Sequence, residues 1–276
     1  MHRLFLALVA IIWCIPVVGN HAPSSSSYAI GVDFGTESVR VGVWDTNQPI
    51  DPYYPIVSKA VSYTTHFLKP GWAEQNPLDW WNCFGQAMKQ CIDEGEIDIN
   101  CVKGLSIDCT ACSVCVLDEN LEPIRNSLLW MDQRSAPQTK FILEKAKGNQ
   151  FLRVSSDGKG PLSAEWMIPK SLWIKQNEPL IWNKAKVICE KIDYLNYRLT
   201  GILSNSGCNV AARWNWDAVL ACKRRYFNDD KYDGRPHSLL KLIDLEDIVG
   251  KWPNNCIGSY SLINAFIHWF IYSFLH

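Results

Sequence analysis

The stretch Tyr28-Ala-Ile-Gly-Val-Asp-Phe-Gly-Thr-Glu-Ser-Val-Arg-Val-Gly-Val-Trp-Asp45 decides how this chain is read. Two β-rich runs, Ala29–Val32 and Val39–Trp44, flank a polar turn of Gly35, Thr36, Glu37 and Ser38, a pattern that predicts a hairpin. Gly35 has no side chain, so a turn built on it lets a polyphosphate approach and aims local amides at it. Asp33 closes the first run, where a carboxylate suits a hydrated magnesium ion that also takes phosphate oxygens. An ordinary hairpin with a polar tip accounts for the same residues.

Outward from the hairpin, Asn76 reads as a helix N-cap, with Pro77 at the first helical position and Asp79 in the first turn. Trp80, Phe84, Met88 and Cys91 follow near helical spacing, which places them on a face that covers a sheet. Val102–Ile107 reads as a buried strand, with Ser113–Leu117 as its antiparallel or neighbouring partner. Asp118–Asn120 reads as a turn and Phe141–Lys147 as a short helix. Arg153–Gly160 suits a loop at the rim of a cleft. Helices are expected over Pro169–Gln176, Tyr194–Leu199 and Leu239–Ile243, a short strand over Val187–Cys189, and a charged surface segment over Lys223–Pro236.

The 276 residues carry a net charge of −1, which gives no electrostatic case for nucleic acid or an anionic membrane, and a hydrophobic fraction of 47%, ample for a core. There is no internal repeat and no low-complexity tract beyond Ser24–Ser27. Residues 1–20 run from His2 and Arg3 through an apolar stretch to Val17-Val-Gly19, the pattern of a secretory signal peptide. Residues 261–276 form an apolar, aromatic tail too short to span a bilayer, which needs about 20 residues. Eleven cysteines leave at least one unpaired, and several lie in apolar runs that suit buried thiols. Cys109, Cys112 and Cys115 have the spacing of a metal or iron–sulfur site, and strand packing explains Cys115 as well.

Five further segments complete the reading. They are Gly71-Trp-Ala-Glu-Gln-Asn-Pro77, Gly104-Leu-Ser-Ile-Asp-Cys-Thr-Ala-Cys112, Leu129-Trp-Met-Asp-Gln-Arg134, Pro169-Lys-Ser-Leu-Trp173 and Asp193-Tyr-Leu-Asn-Tyr-Arg-Leu-Thr-Gly201. With the hairpin, and in this order, they resemble the N-terminal domain of the FGGY carbohydrate kinases over residues 28–258. The details lean toward the ribulokinase and xylulokinase branches. The resemblance implies an α/β fold of the ribonuclease-H-like type shared with actin and hexokinase, a mixed sheet flanked by helices. It also implies ATP-dependent phosphorylation of a sugar hydroxyl, with ATP and magnesium as cofactors, a pentulose such as ribulose or xylulose as substrate, and a homodimer in a longer form.

By that resemblance Asp33, Gly35, Thr36 and Ser38 bind the phosphates, with Asp33 as the magnesium ligand. Thr110, Ala111, Trp130, Asp132 and Arg213 line the sugar side. Asp108 either accepts from a sugar hydroxyl or caps its turn. A surface salt bridge with Arg134 is the plainer account of Asp132. Arg213 stands where the ribulokinase branch carries lysine, which keeps the charge and changes its shape. The family's catalytic aspartate, in a glycine-rich segment, and its adenosine-binding domain find no counterpart in these residues. The chain is therefore expected to be a truncated and inactive form. A cytoplasmic location is expected for the family, against the signal-like start. Two rival readings stand beside this one: a non-catalytic sugar-binding or regulatory fragment, and a secreted cysteine-rich binding protein.

Overall fold

A computed structural model describes residues 26–49, 51, 54–154, 162–227, 233–254 and 256–257. The signal-like segment, the apolar tail and most of the expected rim loop lie outside the described residues. The chain divides into two compact units, one holding the described residues up to Tyr63 together with Asp79–Cys109, the other Thr64–Leu78 and the described residues from Thr110 onward.

In the first unit, β1 (Tyr28–Phe34) and β2 (Ser38–Asp45) form the expected hairpin, with Asp33 opposite Arg40 and Phe34 opposite Val39. β3 (Val57–Ser62) extends it antiparallel to β2. This strand alternates half-buried and exposed residues, the period-two signal of a sheet edge, and sequence reasoning passed over it. The second unit contributes the short β4 (Glu74–Gln75). Helix α1 (Pro77–Glu94) starts where Asn76 accepts a hydrogen bond from the Leu78 amide at 3.1 Å. Its Trp80, Phe84, Met88 and Cys91 are all at most 1% exposed, and Phe84 packs on Phe34 of β1 with ring centroids 5.6 Å apart. β5 (Val102–Cys109) then runs parallel to β1, giving the strand order β3-β2-β1-β5.

β6 (Val114–Leu117) corrects the expectation that Ser113–Leu117 pairs with Val102–Ile107. It belongs to the second unit, between β7 (Ser127–Leu128) and β8 (Val187–Glu190), in a sheet ordered β4-β7-β6-β8. The turn at Thr110–Ser113 is where the chain leaves one sheet for the other. All four residues of β6 are buried, and a continuous apolar run carries no period to tell which sheet it joins.

Helices α2 (Ala136–Lys145), α3 (Met167–Asn177), α4 (Pro179–Lys184) and α5 (Lys191–Thr200) follow the order of the chain around this second sheet. α2 begins five residues before the expected Phe141, because Pro137 suits the first turn. β9 (Asn205–Ser206), α6 (Gly207–Arg213), α7 (Ala218–Phe227), α8 (His237–Leu242) and β10 (Cys256–Ile257) complete the unit. α7 converts part of the expected turn-rich segment Lys223–Pro236 into helix. Its core gathers Val114, Val116, Leu128, Ile168, Leu172, Ile188, Trp214 and Trp252.

Candidate functional site

The β1–β2 turn is fastened from inside. Gly35 donates its amide to the Ser38 carbonyl at 3.0 Å, the Tyr63 hydroxyl donates to the Ser38 carbonyl at 3.0 Å and also reaches the Gly35 carbonyl, and the Tyr63 amide donates to Glu37 at 3.1 Å. The Gly35 amide serves the turn itself, because a chain reversal this tight closes on its own carbonyl. The glycine is steric: a Cβ there would stand 3.3 Å from the Ser38 carbonyl oxygen. Thr36 and Ser38 are half-buried beside it. Burial, followed by the nearby Cys109 and Asp33, pushes the Tyr63 phenol far above its ordinary range, so it stays a protonated donor.

Asp33 stands at the C-terminal end of β1 between a cation and a second carboxylate. Arg40, its cross-strand partner, reaches it at 2.8 Å, and Asp108 is its in-register neighbour on parallel β5. Desolvation, and then the charge of Asp33, raises the Asp108 carboxyl against a lowering hydrogen bond from the Cys109 backbone. Asp108, expected on the sugar side, therefore belongs to the first unit with Asp33. Two carboxylates at adjacent strand ends, beside a close-packed glycine turn, fit magnesium, which takes one or two carboxylates and keeps phosphate and water oxygens as its other ligands. Among the described residues no cluster of three or more cysteine, histidine or carboxylate side chains could hold a metal. The Cys109–Cys112–Cys115 spacing therefore builds no such site, and Cys115 instead pairs across the strands with Cys189.

The second unit holds the other expected residues, and its polar groups are buried. Asp132, expected as a sugar contact or a surface ion pair, is 0% exposed. Its carboxylate accepts from the Ala73 amide at 2.7 Å and from Arg134 Nε and Nη2 at 2.9 and 2.8 Å. Arg134 also reaches Glu74 at 2.7 Å and lies over the Trp72 ring, its guanidinium carbon 3.8 Å from the centroid. Asp132 thus holds the backbone around Trp130, and its oxygens are turned into the protein. Trp130 itself is 37% exposed, open enough for a ring to meet a ligand.

A second buried charged pair grips the turn that carries Thr110 and Ala111. Cys112, at φ +68°, is in the left-handed region that suits glycine, a strained backbone for a cysteine. Both of its main-chain groups are held: Glu190 Oε2 accepts from its amide at 2.8 Å, and Lys170 Nζ donates to its carbonyl at 2.8 Å. Lys170 also donates to the Leu129 carbonyl at 2.5 Å, so one ammonium joins the Thr110–Ser113 turn to the Trp130 loop. Glu190 accepts in addition from Asn209 at 3.2 Å and from the Trp214 indole at 3.2 Å, which ties the turn to α6. Arg213, the last residue of α6, lies close enough to Cys112 for its charge to draw the thiol pKa down against burial, and 5.8 Å from the Trp166 ring. Arg213 is thus brought to the end of the turn that carries Thr110 and Ala111.

Burial sets the protonation of this cluster. It pushes Glu190 up to about 7, with the charge of Asp193 adding, against hydrogen bonds from Cys112 and Trp214 and the charge of Lys170. It pushes Asp193 up to about 6 and Lys170 down to about 8. The Cys112 thiol, raised to about 12 by burial and then by Glu190, stays protonated. Sequence reasoning missed Tyr63, Glu74, Lys170 and Glu190 as site builders. Lys170 had a signal, as the lone cation among Met167, Ile168, Leu172 and Ile174. Glu190 had a fainter one, as a carboxylate ending the apolar run Val187–Cys189.

Comparison with known proteins identifies this architecture. Residues 28–225 match the N-terminal domain of the FGGY family of carbohydrate kinases. An FGGY carbohydrate kinase domain-containing protein of Homo sapiens is 30% identical over 80% of this chain and 37% of its own length. The xylulose kinase of Bacillus subtilis is 28% identical over 67% of this chain and 35% of its own. The gluconate kinase of Lactobacillus acidophilus superposes with a TM-score of 0.73 over 91% of this chain and 46% of that one, at 18% identity, which speaks for the fold. The chain spans little more than a third of the length of the curated relatives it matches. This chain belongs to the FGGY family of carbohydrate kinases, and its ribonuclease-H-like α/β architecture carries the family's N-terminal domain.

Proposed function

We propose that this domain serves in the ATP-dependent phosphorylation of a pentulose hydroxyl, ribulose or xylulose. The observation that carries the reading is the pair Asp33 and Asp108 at the ends of adjacent parallel strands, beside the tightly closed turn at Gly35. Asp33 and Asp108 are the residues that would hold magnesium, and the ion when bound neutralises charge on the phosphates. Arg40 positions Asp33, and Tyr63 keeps the turn in one shape. In the second unit Thr110, Ala111, Trp130 and Arg213 take the sugar: Trp130 offers a ring face, Arg213 a fixed positive charge, and Ala111 a small side chain. Asp132 acts behind them by holding the Trp130 loop. The family relationship to xylulose kinases and ribulokinases supports the substrate class.

Transfer is assigned to a form that also carries an adenosine-binding half, because positioning of the nucleotide supplies most of this catalysis. In the longer form Asp33→Ala lowers kcat by about 10³-fold or more while thermal unfolding shifts little, measured by ADP release at saturating magnesium and ATP. Ala111→Phe raises KM for the ketose and leaves KM for ATP in place. Near-normal turnover of the Asp33 variant, or equal movement of both KM values, overturns the assignment.

A further inference from the structure

We propose that Glu190 is a positioning residue for sugar binding, one that fixes the turn carrying Thr110 and Ala111 against helix α6 and so sets where the ketose rests relative to Arg213. The inference rests on the sugar-side reading above. Its basis is the wiring of one carboxylate. Oε2 accepts from the Cys112 amide at 2.8 Å and from Asn209 at 3.2 Å, and Oε1 accepts from the Trp214 indole at 3.2 Å. Cys112 needs holding, because at φ +68° it lies in a conformation a cysteine leaves when released. Glu190 supplies the restraint on the amide side and Lys170 the restraint on the carbonyl side. Loss of the first frees the turn to relax away from α6, while Lys170 still holds it to Leu129.

The groups that face Glu190 are Asp193 on α5, Lys170 on α3, Cys189 on β8, the Cys112 turn, and Arg213 through Cys112. Acidification protonates Glu190 near neutrality and removes the charge from its hydrogen bonds to Cys112, Asn209 and Trp214 and to the first turn of α5. The turn then loosens and ketose affinity falls. Stability moves the opposite way: Glu190 is raised from an ordinary 4.5 to about 7, so the folded state binds its proton more readily than the unfolded chain, and acidification through that window favours folding. A purely structural role for Glu190 therefore predicts that binding is kept or improved at low pH, and a positioning role predicts that it is lost.

The experiment titrates the full chain with D-ribulose and D-xylulose by calorimetry between about pH 5.5 and 8.5, with circular dichroism as the folding control. Wild type is expected to bind about tenfold more weakly at the acid end, the scale of a lost charge-assisted hydrogen bond. Glu190→Gln, which keeps the volume and loses the charge, is expected to bind about tenfold more weakly throughout and with a flat profile. Should Glu190→Gln fail to fold, the wild-type profile and Asn209→Ala, which cuts one tie to α6 without stranding a charge, carry the test. A flat wild-type profile, or a folded Glu190→Gln with wild-type affinity, overturns the inference and leaves the sugar-side reading standing. Wild type that binds neither ketose at any pH overturns both.

Discussion

Asp33 in the first unit and Asp132 in the second are each paired with an arginine, in very different surroundings. The Asp33 and Arg40 side chains are 33% and 62% exposed and meet at one contact of 2.8 Å. Those of Asp132 and Arg134 are 0% and 1% exposed, and they share a hydrogen-bonded network with Ala73 and Glu74. An exposed pair contributes little to folding and remains open to ligands, whereas a buried pair is committed to its neighbours and costly to break. The Asp33–Arg40 pair is therefore left open to solvent, whereas the Asp132–Arg134 pair is committed to holding backbone.

The sharpest way to break this contrast is Arg134→Met. It strands Asp132 without its cation, while Glu74 keeps Arg125 at 2.8 Å, and a loss of about 3–5 kcal/mol is expected in urea unfolding. A loss as small as that of an exposed pair would mean that water reaches the network. The pH dependence of folding tests the same contrast without a variant. Glu190 and Asp193 are raised to about 7 and 6, so their contribution is full below their ordinary values of 4.5 and 3.8 and is lost as pH rises through the folded values. Lys170 is lowered from 10.5 to about 8, so its contribution is full above 10.5 and is lost as pH falls through about 8. Unfolding midpoints should accordingly pass through a minimum contribution from this cluster between about 7 and 8, and Glu190→Gln should remove the Glu190 part of its acid side while the Asp193 part stays. At the helix that flanks the first sheet, Asn76→Ala removes the cap on Leu78 and should cost about 1 kcal/mol. Smallest of all, Asp33→Asn should change folding by about 0.2–1 kcal/mol, which would separate its role in ligand chemistry from any role in the core.

The parts of the molecule that follow local rules could be read from the sequence. The hairpin came from Gly35 between two β-rich runs, α1 from Asn76-Pro77 and the spacing of Trp80, Phe84, Met88 and Cys91, and the helices expected over Pro169–Gln176 and Tyr194–Leu199 fall within or close to α3 and α5. The parts that depend on distant partners could not. Val114–Leu117 is apolar at every position, so nothing local says that it pairs with Val187–Glu190 instead of its predecessor in the chain. Asp132 and Arg134, two residues apart, have the look of a surface pair until Ala73 and Glu74 arrive from 59 and 60 residues upstream. Glu190 and Cys112 are 78 residues apart, and no motif joins them.

The division of the chain into two units has a consequence for synthesis. The path changes unit at Tyr63–Thr64, at Leu78–Asp79 and again at Cys109–Thr110. By the time Cys109 has been made, the four strands of the first sheet exist. Glu74 and Gln75 are older than most of α1, yet their strand partners, Leu128 and Ser127, come more than fifty residues later. Through that interval a growing chain carries one sheet able to close and, within the same stretch, an orphan segment that must wait for its neighbours. Closing so long a loop is slow compared with forming a hairpin, and unpaired edges left open meanwhile are where chains associate wrongly. The two units therefore mature in sequence but cannot be harvested separately: β4 lies between β3 and β5, so no single cut of the polypeptide parts the two sheets with both intact.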